Sequence, residues 1–382
     1  MGTSSFCPCT YFGSIGRLAM RLLHIADVHL GRPFRWLSHE RGDLRRAELR
    51  LTLSRAVALA REREVDALCI AGDLFERENI LPSVGDFLAE TFATLGSTPV
   101  LIAPGNHDYY SPGCLYDQVD WPRNVHVFRQ PTLASVSIGD GVVWGFAFVG
   151  PEQREPALSP DFRLPGERDV VLCHAEIVQD GTSVFGPLHP ESIIAAGFRF
   201  ALLGHVHRGQ VDEGRRFAYP GSLEPLDASE EGPRWALQID VTGDNVAIEP
   251  IPIARRQATC EDLDVSGVRT RADWEQIVSE RSAFWTDATV KLRLVGTLRG
   301  DLVRSPEIVA DALTEYEVDL EIAARPDEDL DALLRQPTTL GAFARVARER
   351  MAGANDPSER ARWEDVLTVG LAAFRGQEAI LR

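Results

Sequence analysis

Ala103-Pro104-Gly105-Asn106-His107-Asp108 closes a short apolar run, Thr98 to Ala103, and its reading decides the fold. A buried strand that ends in a tight turn bearing an amide, an imidazole and a carboxylate presents chemistry at a sheet edge. Four more clusters follow the same plan: His24-Ile-Ala-Asp27-Val-His29, Ile70-Ala-Gly-Asp73-Leu-Phe75, Val171-Leu-Cys-His174 and Leu202-Leu-Gly-His205-Val-His207. Each trails an apolar stretch, Leu22 to Ala26, Ala67 to Ala71, Val170 to Cys173 and Phe200 to Leu203, and so should lie just past a buried strand. Ligands gather at such strand ends in open α/β sheets.

Asp27 and His29 stand two apart, as do His205 and His207, so each pair points to one side of an extended chain and the two pairs can close on one site. Singly, Asp-Val-His or Gly-Asp is an ordinary strand end or turn; five such clusters in order behind strand-like runs indicate one dinuclear site. The donor set of Asp, Asn and His without thiolate suits manganese, iron or zinc and argues against a structural Cys-type zinc site. Two cations about 3.5 to 4 Å apart clamp both the attacking and the leaving oxygen of a phosphoryl transfer and activate water at neutral pH. A shared carboxylate is the natural bridge, and Asp73 is the candidate.

The series resembles the calcineurin-like metallophosphoesterases. Asp27-Val-His29-Leu-Gly31, Gly72-Asp73-Leu-Phe75, Gly204-His205-Val-His207-Arg208-Gly-Gln210 and Tyr219-Pro-Gly-Ser-Leu-Glu224-Pro225 narrow the likeness to the SbcD/YhaO-type DNA repair exonucleases. It covers roughly residues 20 to 250 well and the rest in general layout. The resemblance implies a first cation held by Asp27, His29, Asp73 and His207 and a second by Asp73, Asn106, His174 and His205, with manganese favoured. It also implies that His107 contacts the scissile phosphate or protonates the leaving oxygen and that Asp108 orients its ring.

One position departs from the pattern. Archaeal and eukaryotic nucleases of this type often carry a second active-site His three residues after the bridging Asp, whereas Glu76 stands here, followed by Arg77. Gly-Asp73-Leu-Phe-Glu76-Arg77 is also similar to the phosphomonoesterase branch, whose arginine clamps a terminal phosphate. Arg77 is therefore either a substrate contact or a surface ion pair. Arg32-Pro-Phe34-Arg35-Trp36 interleaves bases with aromatics directly after the first motif, which suits nucleic-acid contact and stacking, with Arg32 and Arg35 as candidate substrate ligands. Arg41, Arg45, Arg46 and Arg50 continue the basic run on a helix expected over about 43 to 63, where a solvated face is the alternative.

Bulk properties fit a globular enzyme. The 382 residues suffice for two domains, and 44% hydrophobic content is ordinary. No apolar run reaches the roughly 18 to 20 residues of a membrane span. A net charge of −17 runs against phosphate binding, yet six of the acids fall between Glu307 and Glu321, away from the motifs. Lys291 is the only lysine, a coding bias. Cys7, Cys9, Cys69, Cys114, Cys173 and Cys260 are read as free thiols of a reducing cytoplasm, and Cys7-Pro-Cys9 is too bare for a metal site.

Residues 1–19 lack a signal-peptide pattern and are expected to be a disordered or over-extended start, with Met20-Arg-Leu-Leu-His-Ile opening the first strand. The fold class expected is α/β, and the resemblance implies a metallophosphoesterase sandwich over 20–253, a small α/β capping domain over 254–325 and C-terminal helices over 326–382. Trp235 to Asp240 and Val246 to Ile251 should form a hairpin about Thr242-Gly-Asp-Asn. Helical stretches are expected over 43 to 63, 84 to 95, about Asp273, over Pro306 to Thr314 and over Thr339 to Met351; Thr289 to Val295 and Val318 to Ile322 should be strands. Asp356-Pro357-Ser-Glu359 starts the last helix and Gly376 stops it, with Trp363, Val366, Leu367, Gly370, Leu371 and Phe374 on one stripe.

That stripe either packs within the chain or, as the resemblance implies, docks on an SbcC-like coiled-coil ATPase. The favoured function is a metal-dependent DNA exonuclease or single-strand endonuclease in repair, cytoplasmic, with DNA and that ATPase as partners and a homodimer left open. The alternatives are a phosphomonoesterase or small-molecule phosphodiesterase and, lastly, a non-catalytic scaffold of the same fold.

Overall fold

The apolar runs become the central strands of two stacked sheets in the computed structural model, which describes residues 10–12, 19–158, 162–163, 169–179, 182–268, 270–299, 306–327, 330–354 and 356–374. One sheet has the strand order Asn245–Pro252, Trp235–Thr242, Met20–Ile25, Ala67–Ile70, Val100–Ile102, Val125–Val127. Its last four strands are parallel, and Trp235–Thr242 joins Met20–Ile25 antiparallel. The other runs Thr10–Phe12, Ala134–Ile138, Gly141–Gly145, Asp169–His174, Phe200–Gly204, Phe217–Tyr219, Gln210–Asp212.

The period of two in each strand divides its side chains between two cores. Leu22, Ala67, Cys69 and Leu101 face inward and meet Val136, Val143, Val170 and Leu172 of the second sheet. Leu23, Ile25, Leu68, Ile70 and Ile102 face outward and are covered by the helices His39–Glu62 and Pro82–Ala93. Those helices supply Leu49, Leu53, Ala56, Val57 and Ala60, and Val84, Leu88 and Phe92, at spacings of three and four. On the far side Val171, Cys173, Ala201 and Leu203 pack against Ile193 and Ala196 of the helix Pro190–Ala196. The layers therefore run helix, sheet, sheet, helix, the sandwiched α/β class expected.

Helix His39–Glu62 begins four residues earlier than its periodicity suggests, because the Ser38 side chain accepts from Arg41 N at 3.3 Å and caps it. The hairpin Trp235–Thr242 and Asn245–Pro252 turns through Gly243 and Asp244, with Gly243 at φ +57° as a two-residue turn demands. Within the first 19 residues, Thr10–Phe12 pair parallel with Val136–Ile138; Cys7 and Cys9 lie outside the described residues. Cys69, Cys114 and Cys173 are buried free thiols.

Two compact units divide the chain. The first takes residues up to Glu261 with Arg281–Leu292 and Thr314–Asp319; the second takes Asp262–Glu280, Arg293–Leu313 and the chain from Leu320. The stretch 254–325 is thus shared between them. In the second unit Trp274 donates to Val309 O at 3.1 Å, and Thr270 and Asp273 cap each other at the start of helix Arg271–Trp285.

Helices Leu330–Arg335, Thr339–Ala352 and Pro357–Phe374 close a small core of Leu333, Ala344, Ala347, Leu367 and Leu371. Asp356 caps the last, accepting from Glu359 N at 2.8 Å; Gly376 lies outside the described residues. Gly370 has no side chain because a Cβ there would overlap the Phe343 ring. The anticipated stripe is split: Leu367 and Leu371 are buried, while Val366 and Phe374 remain 41% and 50% exposed. Among the described residues no helix is long and apolar enough to cross a membrane.

Candidate metal centre

Parallel strands of both sheets end on one side, and the motif residues occupy those ends. Asp27 and His29 follow Met20–Ile25, Asp73 follows Ala67–Ile70, Asn106 to Asp108 follow Val100–Ile102, His174 ends its strand, and His205 and His207 follow Phe200–Gly204. The first two loops are zipped together by Asp27 N to Gly72 O at 3.1 Å, His29 N to Asp73 O at 2.9 Å and Leu30 N to Leu74 O at 3.0 Å. Asp27, His29 and Asp73 all have φ +51°, and His205 has φ +105°. Non-glycine residues in this region cost about 1 to 3 kcal/mol each and concentrate where function demands them. At Gly105 a Cβ would collide with the Asp73 carboxylate and the His174 ring, which explains the glycine before Asn106.

Asp73 lies at the middle. Its Oδ2 is 3.6 Å from His29 Nε2 and 3.4 Å from His174 Nε2. Ligand atoms of Asp27, His29 and His207 lie within 4.8 Å of one another, as do those of Asp27, Asp73 and His174 and those of His29, Asp73 and His107. Asn106 Oδ1 is 2.9 Å from His174 Nε2. His205 is placed differently: its ring is edge-on to His174 at 5.3 Å and tilted against Phe185 at 4.7 Å, while its backbone N donates to Asp27 at 3.0 Å.

The hydrogen bonds on the far side of each ring show that these residues suit cations. Nδ1 of His29 faces Glu76 Oε1 at 2.9 Å, Nδ1 of His207 faces Glu230 Oε1 at 2.8 Å and Nδ1 of His174 faces Ala71 O at 2.9 Å. Carboxylate and carbonyl oxygens only accept, so every Nδ1 donates and every neutral ring turns an Nε2 lone pair inward. The lone pair of His174 then meets the Asn106 carbonyl oxygen, and the Nε2 atoms of His29 and His207 stand 3.2 Å apart. Where the rings are neutral, acceptor faces acceptor, which a shared cation resolves; without one, His207, whose imidazole is raised against burial by Glu230, donates its Nε2 proton to His29 in the cation's place.

The electrostatics agree. Burial, followed by the repulsion of Asp73, pushes the Asp27 carboxyl up to about 8 against the pull of His207, and burial holds His29 and His174 below the usual imidazole range. Buried carboxylates beside neutral imidazoles become ionised ligands when a divalent ion supplies the missing charge.

Glu76 is the carboxylate against the His107 ring: its Oε2 is 2.8 Å from His107 Nδ1, and this bond foremost raises the imidazole to about 9. Asp108, expected to orient that ring, instead accepts from Asp73 N at 3.2 Å, Leu74 N at 2.8 Å, Gly105 N at 2.6 Å and Tyr116 Oη at 2.7 Å. It ties the second metal loop to the third. Burial, with Asp73 next, lifts its carboxyl to about 7.

The basic residues are largely committed within the fold. Arg77 donates to Tyr109 O at 2.9 Å and Ser111 Oγ at 2.8 Å with its guanidinium 4.2 Å from the Tyr109 ring centroid, so it is neither a surface ion pair nor aimed at the ligands. Arg32 reaches Leu226 O and Glu76 Oε1, and Arg35 is exposed. Arg45, fully buried, sits among Glu48, Glu224, Glu317 and Pro225 O; Arg41 donates to Thr314 O and Arg46 pairs with Asp43.

Glu230 escaped the sequence reading. It is held by Arg234 and Leu226 N, and nothing in its local sequence marks it. Glu76 was legible only as a departure three residues after Asp73.

Residues 20–209 match the family model described as calcineurin-like phosphoesterase. The chain is 29% identical over 275 residues to the DNA double-strand break repair protein Mre11 of Aeropyrum pernix, covering 64% of each chain. It is 27% identical over 244 residues to the uncharacterized metallophosphoesterase YhaO of Bacillus subtilis, covering 60% of this chain and 59% of that one. Over 122 residues it is 26% identical to a subunit of the nuclease SbcCD of Bacillus subtilis, 31% of this chain and 30% of the relative. The chain thus spans somewhat under two thirds of the length of the first two.

Proposed function

From the calcineurin-like phosphoesterase domain that residues 20–209 form, we propose that the chain is a dinuclear-metal phosphodiesterase that cleaves DNA in repair, as an exonuclease or single-strand endonuclease. The observation that carries this reading is the set of inward-turned lone pairs around Asp73, with His107 41% exposed at its edge. Asp27, His29, Asp73 and His207 would hold one cation and Asp73, Asn106, His174 and His205 the other, the carboxylate and imidazole donors suiting manganese. Two such ions supply activation of water and neutralisation of the charge that gathers on the phosphoryl oxygens.

The chain's own groups do the rest. His107 Nδ1 is bound to Glu76, so its Nε2 is the atom that delivers a proton to the leaving oxygen. Asp108 fixes the turn that carries His107 by binding Gly105 N, and His107 N donates to Asp73 Oδ1 at 2.9 Å, setting the ring beside the bridge. Arg35, exposed next to the first loop, together with Trp36, is the basic and aromatic edge for a DNA strand; Arg32 backs it.

The phosphomonoesterase alternative needs Arg77 as a bidentate phosphate clamp. Its fork is already spent on Tyr109 O and Ser111 Oγ, which favours a diester. We further propose a cytoplasmic setting and an SbcC-like coiled-coil ATPase partner on the C-terminal helices, supported by the exposed Val346, Val366 and Phe374 and by the name of the SbcCD relative.

Digestion of end-labelled linear DNA with added Mn2+, beside a chromogenic phosphomonoester, tests the reading. DNA should be degraded and the monoester turned over poorly. Efficient monoester turnover, lost in Arg77→Ala with DNA cleavage untouched, would replace this function with a phosphatase.

A further inference from the structure

Three residues beyond Asp73, one carboxylate joins two rings that do different work. Glu76 Oε1 faces Nδ1 of His29 at 2.9 Å, and Oε2 faces Nδ1 of His107 at 2.8 Å. The rings meet edge to face with centroids 4.8 Å apart. The main chain sets this geometry: Glu76 N donates to Leu30 O at 2.9 Å, and Arg77 N donates to His107 O at 3.1 Å, so loops one, two and three converge on the glutamate. Arg32 Nη1 adds a third donor at 3.2 Å, and the side chain is only 14% exposed.

A carboxylate accepts at both oxygens and donates at neither, so both Nδ1 atoms must donate to it and both Nε2 atoms are left for other partners, that of His29 facing His207 and Asp73. A glutamine has a single acceptor oxygen and would offer its NH2 to the other ring, forcing that ring into the opposite tautomer. An aspartate keeps the charge but is one methylene shorter and cannot span both rings. Glutamate alone suits the gap.

We infer that Glu76 is a positioning residue that locks a metal ligand and the acid-base histidine into one register, so that seating the first cation and aiming His107 are a single structural event. The inference rests on the phosphodiesterase reading for the role of His107. Orienting groups of this kind commonly change metal affinity about 10- to 100-fold when removed, and residues that act as a unit show losses that do not add.

The test compares Glu76→Gln, Glu76→Asp, His107→Ala and the double Glu76→Gln/His107→Ala variant in the full chain. Mn2+ titration followed by electron paramagnetic resonance, which needs no turnover, should show the first ion weakened about 10- to 100-fold in Glu76→Gln and unchanged in His107→Ala. At saturating Mn2+, kcat on linear DNA should fall by the same factor in Glu76→Gln as in His107→Ala, with KM unchanged and no further loss in the double variant. Glu76→Asp should recover one of the two effects and not both.

Unchanged Mn2+ affinity in Glu76→Gln, or losses in kcat that multiply in the double variant, would overturn the inference. Should Glu76→Gln fail to fold by circular dichroism, Glu76→Ala, which removes both acceptor oxygens, carries both readouts with the same expected losses. If the parent cuts no DNA, the phosphodiesterase reading falls separately; imidazole 15N shifts in the metal-free protein then test the geometry, a change at both His29 and His107 in Glu76→Ala supporting it and an unchanged ring at either position overturning it.

Discussion

Asp73 Oδ2 stands between His29 Nε2 and His174 Nε2, so a single carboxylate serves both halves of the ligand set. Asp73→Asn should lower metal content and hydrolysis together, whereas His107→Ala should keep its metal while cleavage drops about 10²- to 10⁴-fold, the range of an acid-base group. Metal analysis of the two purified variants checks this, and loss of metal with His107 would refute the assignment. Three residues before Asp27, His24 lies fully buried with neither ring nitrogen hydrogen-bonded, and burial lowers it to about 3. The unfolded chain binds this proton near pH 6.5 and the folded chain only near 3, so stability present above 6.5 is lost as pH falls through that window. At full burial the effect is on the order of 3 to 5 kcal/mol. His24→Leu should therefore gain stability over the parent as pH drops from 7 to 4, read as a widening gap in urea midpoints; a gap independent of pH would contradict it.

At the scale of elements, the parallel strands Met20–Ile25, Ala67–Ile70 and Phe200–Gly204 are each followed by a ligand residue at positive φ, Asp27, Asp73 and His205, where the chain leaves the extended conformation. The arginines of helix His39–Glu62 show why a sequence pattern can mislead here. Arg45 has its charge inside, with Nη1 2.5 Å from Glu48 Oε2, Nη2 2.7 Å from Pro225 O and Nε 3.5 Å from Glu317 Oε2. Its partner Glu224, from the Tyr219-Pro-Gly-Ser motif, also accepts from Thr52 Oγ1 at 2.5 Å and Arg255 N at 2.8 Å. The network is the bolt between that helix, the motif loop and Glu317, and Arg45, fully buried within it, is out of reach of a nucleic acid. Arg45→Ala removes the buried cation from between Glu224 and Glu317, leaving them the hydroxyls of Thr52 and Thr289 and Arg256, and should cost about 3 to 5 kcal/mol. Denaturant unfolding measures this; a loss of DNA affinity with unchanged stability would restore the basic-face reading.

For the molecule as a whole, the C-terminal helices separate into an inner and an outer set of apolar residues. Leu367→Ala and Leu371→Ala remove packing against Ala344 and Ala347 and should each cost about 2 kcal/mol or more, seen as a lower melting temperature. Val346→Asp, Val366→Asp and Phe374→Asp act on exposed positions and should leave melting nearly unchanged while abolishing co-purification with a coiled-coil ATPase. Retention of that partner by all three would remove these helices as its docking surface.

Apolar runs punctuated by Asp, Asn and His were enough to derive the sheet-sandwich class, the strand ends and the hairpin, because period-two burial and turn chemistry are local properties. Helix Pro357–Phe374 was legible for the same reason, through Asp356 and Pro357. The roles of Glu76, Glu230 and Asp108 were not, nor was the internal use of Arg45 and Arg77. Which oxygen meets which ring nitrogen depends on how residues 23 to 103 positions apart come together. A carboxylate or guanidinium reads the same in sequence whether it faces water, a histidine or a buried partner, and only the tertiary packing that removes the water decides among them.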